Sequence, residues 1–173
     1  MTPQTPLQTA PSSSFSERDF RDAMGSFATG VCVVTANNAD GKAIGMTVNS
    51  FSSVSLNPPL VLFCLGDYSA RSQAILAADT FNISMLGADQ MDDSNHFARP
   101  GEGLALDGMT VSGQNGCPVV PGAAAVIECT MDTQHGGGDH VIVVGRVTHL
   151  ETDQSKAPLL YFRGGYRKLD GEA

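Results

Sequence analysis

Two adjacent segments decide the fold of this chain: residues 45–55, GMTVNSFSSVS, and residues 56–65, LNPPLVLFCL. The first mixes small hydroxylated side chains with β-branched and aromatic ones, which is typical of a strand whose backbone lies close to a flat polar group. In the second, Pro58 and Pro59 exclude a helix and remove two backbone donors, so the chain must turn before residues 60–65. This pattern favours two strands whose hydroxyls form the wall of a ligand site.

The composition is that of a single globular domain with many tight turns. The chain has 173 residues, of which 42% are hydrophobic, 16% are charged and 19 are glycines, which favours a β-rich fold. The net charge of −8 argues against a nucleic-acid partner and against an anionic membrane surface, because both require clustered Lys and Arg. A phosphate-bearing ligand would therefore depend on backbone N–H groups and a few local cations.

The cysteines and the N-terminus predict a cytoplasmic protein. The four cysteines show no C-x-x-C spacing and lie mostly among apolar neighbours, so we expect reduced, buried thiols: Cys32, Cys64, Cys117 and Cys129. We expect no membrane span and no signal peptide, because neither pattern is visible. Residues 1–14 contain three prolines and no charged side chain, which predicts a disordered tail before a single domain over residues 15–173.

A helix is predicted near the N-terminus. Ser16 with Asp19 three residues later matches a capping box. Phe20, Met24 and Phe27 then recur at helical spacing, and we expect this stripe to pack in the core.

The remaining elements favour a small antiparallel β-barrel, closed or partly closed. Residues 99–122 are rich in Gly and Pro and predict a long loop, and residues 136–139 predict a turn between two long strands. Gly164 to Tyr166 predict a closing turn. Strands are predicted over 30–36, from 42 into the opening stretch, and over 60–65, 80–86, 123–135, 140–151 and 158–162, with helices over 69–78 and 88–98. Such short connections disfavour βαβ crossovers and a Rossmann fold.

Few residues offer chemistry of their own. The sequence lacks a G-x-S-x-G nucleophile elbow, and Asp92 near His96 is explained more simply by the helix dipole than by a metal.

Ser69 and Arg71 form either a phosphate site at a helix N-terminus or an ordinary cap with a solvated Arg, and spacing alone favours the cap. His140 beside the glycine turn lies either at a pocket rim or at an exposed hairpin end. This small number of candidate catalytic groups suits a protein whose bound cofactor carries out the reaction, and it suits a binding module equally well.

An ordered set of motifs, taken together, resembles the short-chain flavin reductase family from about Phe15 to Leu169. The set comprises Phe20-Arg21, Gly30-Val31, Thr35, the block from Gly45 to Ser55, Pro58-Pro59-Leu60-Val61, the segment from Phe81 to Leu86, Phe97-Ala98, Glu128-Cys129, Gly138-Asp139-His140, Gly145-Arg146-Val147 and Pro158-Leu159-Leu160-Tyr161. The resemblance implies a mainly β fold with short helices, a split β-barrel that dimerises and binds FMN or FAD at the subunit interface. It also implies hydride transfer from NADH or NADPH to flavin, and delivery of reduced flavin to a separate monooxygenase.

The resemblance also implies the site residues, position by position. The flavin ring and ribityl chain would lie along Met46, Thr47, Val48, Asn49 and Ser50, with Ser53 and Ser55 further along the same wall. Ser69 and Arg71 would lie near the phosphate, Phe97 would close the pocket and Tyr166 would cap it. Gly138, Asp139 and His140 would lie at the nicotinamide side, where His140 would orient the reacting groups. No metal is implied.

Two other functions compete with the reductase. In the first alternative, the barrel would hold flavin as an electron carrier or redox sensor. In the second, it would be a non-catalytic domain that binds another planar ligand. A nicotinamide-side His140 favours the reductase over the carrier. The small number of cations offers no clear 2′-phosphate site, which favours NADH over NADPH.

Overall fold

The computed structural model describes residues 14–66, 69–100, 106 and 108–169. Residues 1–13 of the predicted tail lie outside these ranges, as do Asp67 and Tyr68, where the sequence predicts a strand break. The helices are α1 (Glu17–Met24), α2 (Ala70–Leu76) and α3 (Met91–Ala98). The strands are β1 (Thr29–Gly30), β2 (Cys32–Asn37), β3 (Ala43–Val48), β4 (Ser52–Leu56), β5 (Pro59–Gly66), β6 (Thr80–Met85), β7 (Val111–Ser112), β8 (Pro118–Val119), β9 (Ala125–Gly137), β10 (His140–Thr152), β11 (Leu160–Phe162) and β12 (Gly165–Arg167).

Seven strands form the main sheet, in the order β3-β2-β6-β9-β10-β5-β4. Every recorded pairing is antiparallel, as expected for strands joined by short connections. A small sheet of order β1-β11-β12 and the pair β7-β8 complete the sheets of the described chain. The predicted mainly β fold with short helices is confirmed, and the edge strands β3 and β4 leave the main sheet open.

The opening stretch forms two strands with a break between them. β3 ends at Val48 and β4 begins at Ser52, and residues 49–51 take part in no recorded strand pairing. The break is held in place by Ser50, whose Oγ accepts a hydrogen bond from the backbone N–H of Cys64 on β5 at 2.8 Å. The predicted turn before the apolar run is confirmed at Asn57 and Pro58, where β4 reverses into β5.

A core of large apolar side chains lies on one face of the main sheet. Phe63, Phe81 and Ile83 are completely buried and belong to one cluster. A second cluster, which includes Phe97, lies under α3. Gly45 on β3 permits this packing, because a Cβ at that position would lie 2.8 Å from the Phe97 ring.

The predicted core role of the α1 stripe is wrong. The capping box between Ser16 and Asp19 forms as expected, but α1 contains no buried residue. Phe20, Met24 and Phe27 are 52%, 56% and 77% exposed. Helical periodicity places apolar side chains on one face, but it does not say what covers that face.

The last hairpin also differs from the prediction. Tyr166 lies in β12 opposite Tyr161, and the turn is formed instead by Arg163 and Gly164. In the part of the chain that the structure describes, no helix combines the length and apolarity of a membrane span.

Candidate active site

The break after β3 forms one wall of the candidate site. The hydroxyl of Thr47 donates to the carbonyl oxygen of Ser94 on α3 at 2.7 Å, and Val48 is buried at 8% exposure. Asn49 and Ser50 follow, and their peptide groups lie outside both neighbouring strand ladders. Free peptide donors and acceptors in such a break can bind the polar edge of a planar ligand.

A pair of tyrosines faces this wall. The rings of Tyr161 and Tyr166 meet edge to face, with centroids 5.5 Å apart. The phenol oxygen of Tyr166 lies 2.8 Å from Ser94 Oγ and donates to Asn95 Oδ1 at 3.1 Å. A cavity of about 250 Å³ lies between the wall and the rings and is lined by Val31, Thr47, Val48, Asn49, Ser94, Ala98, Tyr161 and Tyr166.

A larger cavity of about 1160 Å³ adjoins the first, since Asn49 and Tyr161 line both. One side of it is formed by the exposed side chains of Phe20 and Met24 on α1 and of Phe27 just after the helix, and the other includes Asn49 and Ser50. The apolar stripe that does not enter the core therefore lines a groove beside the predicted flavin wall.

The residues expected at the phosphate have partners within the protein. Ser69 caps α2, since its Oγ accepts from the backbone N–H of Ser72 at 3.0 Å. Arg71 is only 8% exposed, and burial lowers the pKa of its guanidinium. It donates to the carbonyls of Gly45 at 3.2 Å and, more weakly, Phe97 at 3.5 Å, and also to that of Arg99.

Two details describe how Arg71 and the first turn of α2 meet β3. Its Nε is buried and has no hydrogen-bond partner within the described ranges. Met46, which precedes the wall, accepts a hydrogen bond at its Sδ from the hydroxyl of Ser72 at 3.4 Å. The first turn of α2 therefore lies against β3, with one unsatisfied donor between them.

The Gly138-Asp139-His140 segment forms the end of the β9–β10 hairpin. Gly138 has φ of +76°, which glycine adopts without strain. His140 Nδ1 lies 2.7 Å from Asp139 Oδ1, and their side chains are 45% and 85% exposed. The hydrogen bond and charge of His140 lower the pKa of the Asp139 carboxyl, and Arg21 on α1 adds a smaller effect in the same direction.

This hairpin end is connected to the flavin wall through β5. His140 pairs with Gly66 and Ile142 pairs with Cys64, and Cys64 is the residue bonded to Ser50. His140 therefore lies two residues along β10 from Ile142, the partner of Cys64, in an exposed position, and it lines neither of the two cavities.

Nine of the predicted site residues line neither of the two cavities: Met46, Ser53, Ser55, Ser69, Arg71, Phe97, Gly138, Asp139 and His140. Ser53 is exposed and Ser55 is half-buried on edge strand β4, and neither lines the two cavities. Phe97 is 1% exposed in the second core cluster, and its neighbour Ala98 lines the smaller cavity instead. The sequence analysis missed Ser94, because a single serine on a predicted helix carries no signal for its two long-range hydrogen bonds.

The profile of the flavin reductase like domain matches residues 24–170. The chain therefore belongs to the flavin reductase family.

Individual relatives agree with this assignment. A probable flavin reductase of Rhizobium meliloti is 49% identical over 163 residues, covering 92% of this chain but only 51% of that protein, so the chain spans about half its length. FMN reductase (NADH) SmoA of Agrobacterium fabrum is 45% identical over 156 residues, covering 88% of this chain and 86% of that one. Other relatives are named as reductase components of flavin-dependent monooxygenases.

The fold agrees as well. The structure of the NADH:FAD oxidoreductase SgcE6 of Streptomyces globisporus superimposes with a TM-score of 0.85 at 36% identity, covering 94% of this chain and all of that one. The predicted flavin reductase type of split β-barrel is thereby confirmed.

Proposed function

We propose that this protein is an NADH-dependent flavin reductase that transfers hydride to FMN or FAD. The observation that carries the proposal is the break at residues 49–51, where peptide groups outside the strand ladders lie beside a tyrosine-lined cavity. A flavin presents a planar ring with a polar edge, which fits such a wall. The family membership supports this choice, as do the relatives SmoA, an NADH-dependent FMN reductase, and SgcE6, an NADH:FAD oxidoreductase.

Each part of the site has a proposed role. Residues 47–50 hold the flavin ring, mainly through backbone groups, and Ser69 and Arg71 hold the phosphate end. Tyr166 covers the ring, fixed in place by its bond to Ser94. Bound flavin would supply the redox chemistry by accepting a hydride from NADH, and residues 47–50 would hold its ring in position. The protein orients both rings at reacting distance, which supplies the proximity contribution to catalysis.

His140 orients the nicotinamide in this proposal. The carboxylate of Asp139 fixes the orientation of its ring through Nδ1. The other ring nitrogen, Nε2, is therefore directed away from that carboxylate. The reaction requires no prior deprotonation, so His140 acts as a positioning group. Ser53, Ser55 and Phe97 support the wall and its packing without lining either cavity.

We also propose that reduced flavin passes to a separate monooxygenase. The relatives named as reductase components support this role. We place the protein in the cytoplasm, because all four of its cysteines are free thiols, as is usual in a reducing compartment.

Anaerobic stopped-flow absorbance at the oxidised flavin band tests the reductase proposal. We expect protein-dependent bleaching of FMN or FAD with NADH, and slower bleaching with NADPH. The four flavin and nicotinamide combinations, run separately, identify both preferred partners. Flavin binding without bleaching would indicate a carrier or sensor, and absence of flavin binding would contradict a flavin function altogether.

We propose that the protein is a homodimer in which a second copy covers the α1 face. Phe20, Met24 and Phe27 are each more than half exposed, and a contiguous exposed apolar face of this kind marks an interaction surface. The same face lines the cavity that includes Asn49 and Ser50, so a second copy there would complete the flavin site.

Sedimentation velocity of Phe27→Asp tests the dimer. The unaltered protein is expected to sediment as a dimer, and the variant as a monomer, because burying an unpaired carboxylate in an interface is strongly unfavourable. Val111→Asp is a matched control, since Val111 is also exposed, at 53%, and lies in neither cavity. A monomeric unaltered protein, or a Phe27→Asp dimer, would contradict this interface.

A further inference from the structure

The β11–β12 turn contains an arginine in an unfavourable backbone conformation. Phe162 pairs with Gly165, so Arg163 and Gly164 form a two-residue loop, with φ of +47° and +73°. Within the described ranges, Arg163 is the only non-glycine residue with positive φ. Hairpin turns with two positive φ values favour Asn-Gly or Gly-Gly, so arginine at the first position is strained. Strained backbone positions of this kind cluster at functional sites.

The Arg163 side chain is available to a ligand. Its guanidinium carbon lies 5.1 Å from the centroid of the Phe162 ring, and it has no recorded ion pair with any carboxylate of the described chain. It lines the 1160 Å³ cavity together with Asn49 and Ser50. In a chain of net charge −8, an uncompensated cation at a cavity has a clear electrostatic effect on anionic ligands.

A second arginine lines the same cavity from α1. The backbone N–H of Arg163 donates to the carbonyl of Gly25 at 2.9 Å, and Gly25 donates to the carbonyl of Arg21 at 2.8 Å. Arg21 is therefore one helical turn from the residue that contacts Arg163. Its contact with Glu17 is long, 3.7 Å, and its side chain is 81% exposed, so the guanidinium can turn into the cavity at little expense.

The cavity suits a ligand with two ring systems joined by a charged link. Its volume exceeds the usual upper range for a small-molecule pocket, about 1,000 Å³. One end of the cavity lies at the wall that includes Asn49. The apolar side chains of Phe20 and Met24 line the cavity from α1. The two arginines are the cations among the lining residues. A second copy resting on α1 would roof this cavity.

We propose that Arg21 and Arg163 bind the diphosphate of a dinucleotide whose reacting ring lies at the Asn49 wall. The inference rests on the proposed reductase function and adds a binding site to it. Guanidinium groups bind phosphate oxygens through paired N–H donors. The diphosphate belongs either to FAD or to the nicotinamide dinucleotide, and mononucleotides distinguish these sources.

Calorimetric titration of Arg163→Asn tests the site. Asparagine fits the turn better than arginine, so the variant should fold with an unchanged or higher melting temperature. Affinity is measured for FAD against FMN, and for NAD⁺ against nicotinamide mononucleotide. We expect one dinucleotide to bind about 3- to 10-fold more weakly while its mononucleotide is unaffected, with a similar effect for Arg21→Gln. This range is typical of losing one solvent-exposed hydrogen bond, whose net contribution to affinity is modest.

Control variants separate the site from a general charge effect. Arg18→Gln removes a charge from the same helix, and Lys168→Gln removes one near the same hairpin, and neither residue lines this cavity. Arg163→Lys should restore part of the lost affinity, because it restores the charge without the planar fork. The dinucleotide affinity of the unaltered protein should also fall as ionic strength rises.

The outcomes are distinct. A selective loss for FAD assigns the diphosphate to the flavin, and a selective loss for NAD⁺ assigns it to the nicotinamide. Equal losses for dinucleotide and mononucleotide, no loss, or equal losses in the control variants would overturn the site while leaving the reductase proposal intact. An unaltered protein that binds none of the four nucleotides would overturn both.

Discussion

Replacing His140 by alanine is expected to slow flavin reduction about 10- to 100-fold while flavin affinity stays within about twofold. This range corresponds to about 1.5–3 kcal/mol, as for a hydrogen bond that involves a charged group. His140 lies at the end of the hairpin, connected through β5 to the residue that binds Ser50. The residues proposed to hold the flavin ring, 47–50, lie on a different strand and keep their own contacts.

The measurement is single-turnover bleaching of pre-bound flavin over a range of NADH concentrations. This design separates the rate of hydride transfer from the affinity for NADH, and a separate titration gives the flavin affinity. His135→Ala is a matched control, because His135 is also exposed on this hairpin and its Nε2 lies 3.2 Å from the hydroxyl of Thr133, away from Asp139 in sequence. Equal losses of rate and flavin affinity would show that His140 supports the whole site and does not position the nicotinamide.

A substitution of Asp139 is a second test of the proposed role of His140. Its carboxylate fixes the ring of His140, and its pKa is lowered by that contact, so it stays charged across the neutral range. Asp139→Asn should therefore lower the hydride transfer rate in the same direction as His140→Ala but by less, since the amide oxygen can still accept from Nδ1.

The strands and the hairpin turns follow from local sequence signals, whereas the order of the strands in the sheet and the packing around the site do not. Pro58 enforces the β4 to β5 reversal, and Gly138 enforces the β9 to β10 turn, because each restricts the backbone locally. The break at residues 49–51 has no such signal. It depends on Ser50 reaching the backbone of Cys64, a contact between residues that composition alone does not relate.

Polar contacts over long sequence distances were also not predicted. Glu128 is 3% exposed and accepts from the backbone N–H groups of Gln114 and Asn115 at 2.7 and 2.8 Å, which holds the loop before β8 against β9. Ser94 connects Thr47 to Tyr166 in a comparable way. Serine and glutamate are common surface residues, so their burial depends on tertiary partners that a local pattern cannot reveal.

The error at α1 has the same origin. The stripe of Phe20, Met24 and Phe27 is typical of a helix that packs on its own domain. In the folded chain its apolar face lines the large cavity instead. A pattern identifies which face of a helix is apolar, whereas the identity of the covering surface is a property of the assembled protein.

Arg71→Met is expected to lower the stability of the flavin-free protein by about 2–4 kcal/mol. The guanidinium donates to carbonyls of Gly45, Phe97 and Arg99, which connects β3 to the end of α3. Methionine fills a similar volume without any donor, and each buried carbonyl left unpaired costs about 1–3 kcal/mol. For a protein of this size the melting temperature should fall by about 5–15 °C.

The same variant tests the proposed phosphate role. The Nε of Arg71 is buried without a partner in the described chain, so a bound phosphate would satisfy a donor that the protein leaves free. FMN and riboflavin differ only in that phosphate, and we expect Arg71→Met to reduce the preference for FMN over riboflavin. Arg99→Met is the control, because it removes an exposed charge nearby while its carbonyl still accepts from Arg71.

The two readouts for Arg71 are independent of each other. A lower melting temperature with an unchanged FMN preference would restrict Arg71 to anchoring α3 on β3. An unchanged melting temperature would contradict that anchoring, because three backbone acceptors would then have lost their donor without consequence. Since Gly45 lies on β3 two residues before the wall at 47–50, loss of the anchor should also displace the wall. Flavin affinity should therefore fall for riboflavin as well, in proportion to the loss of stability, and fall further for FMN.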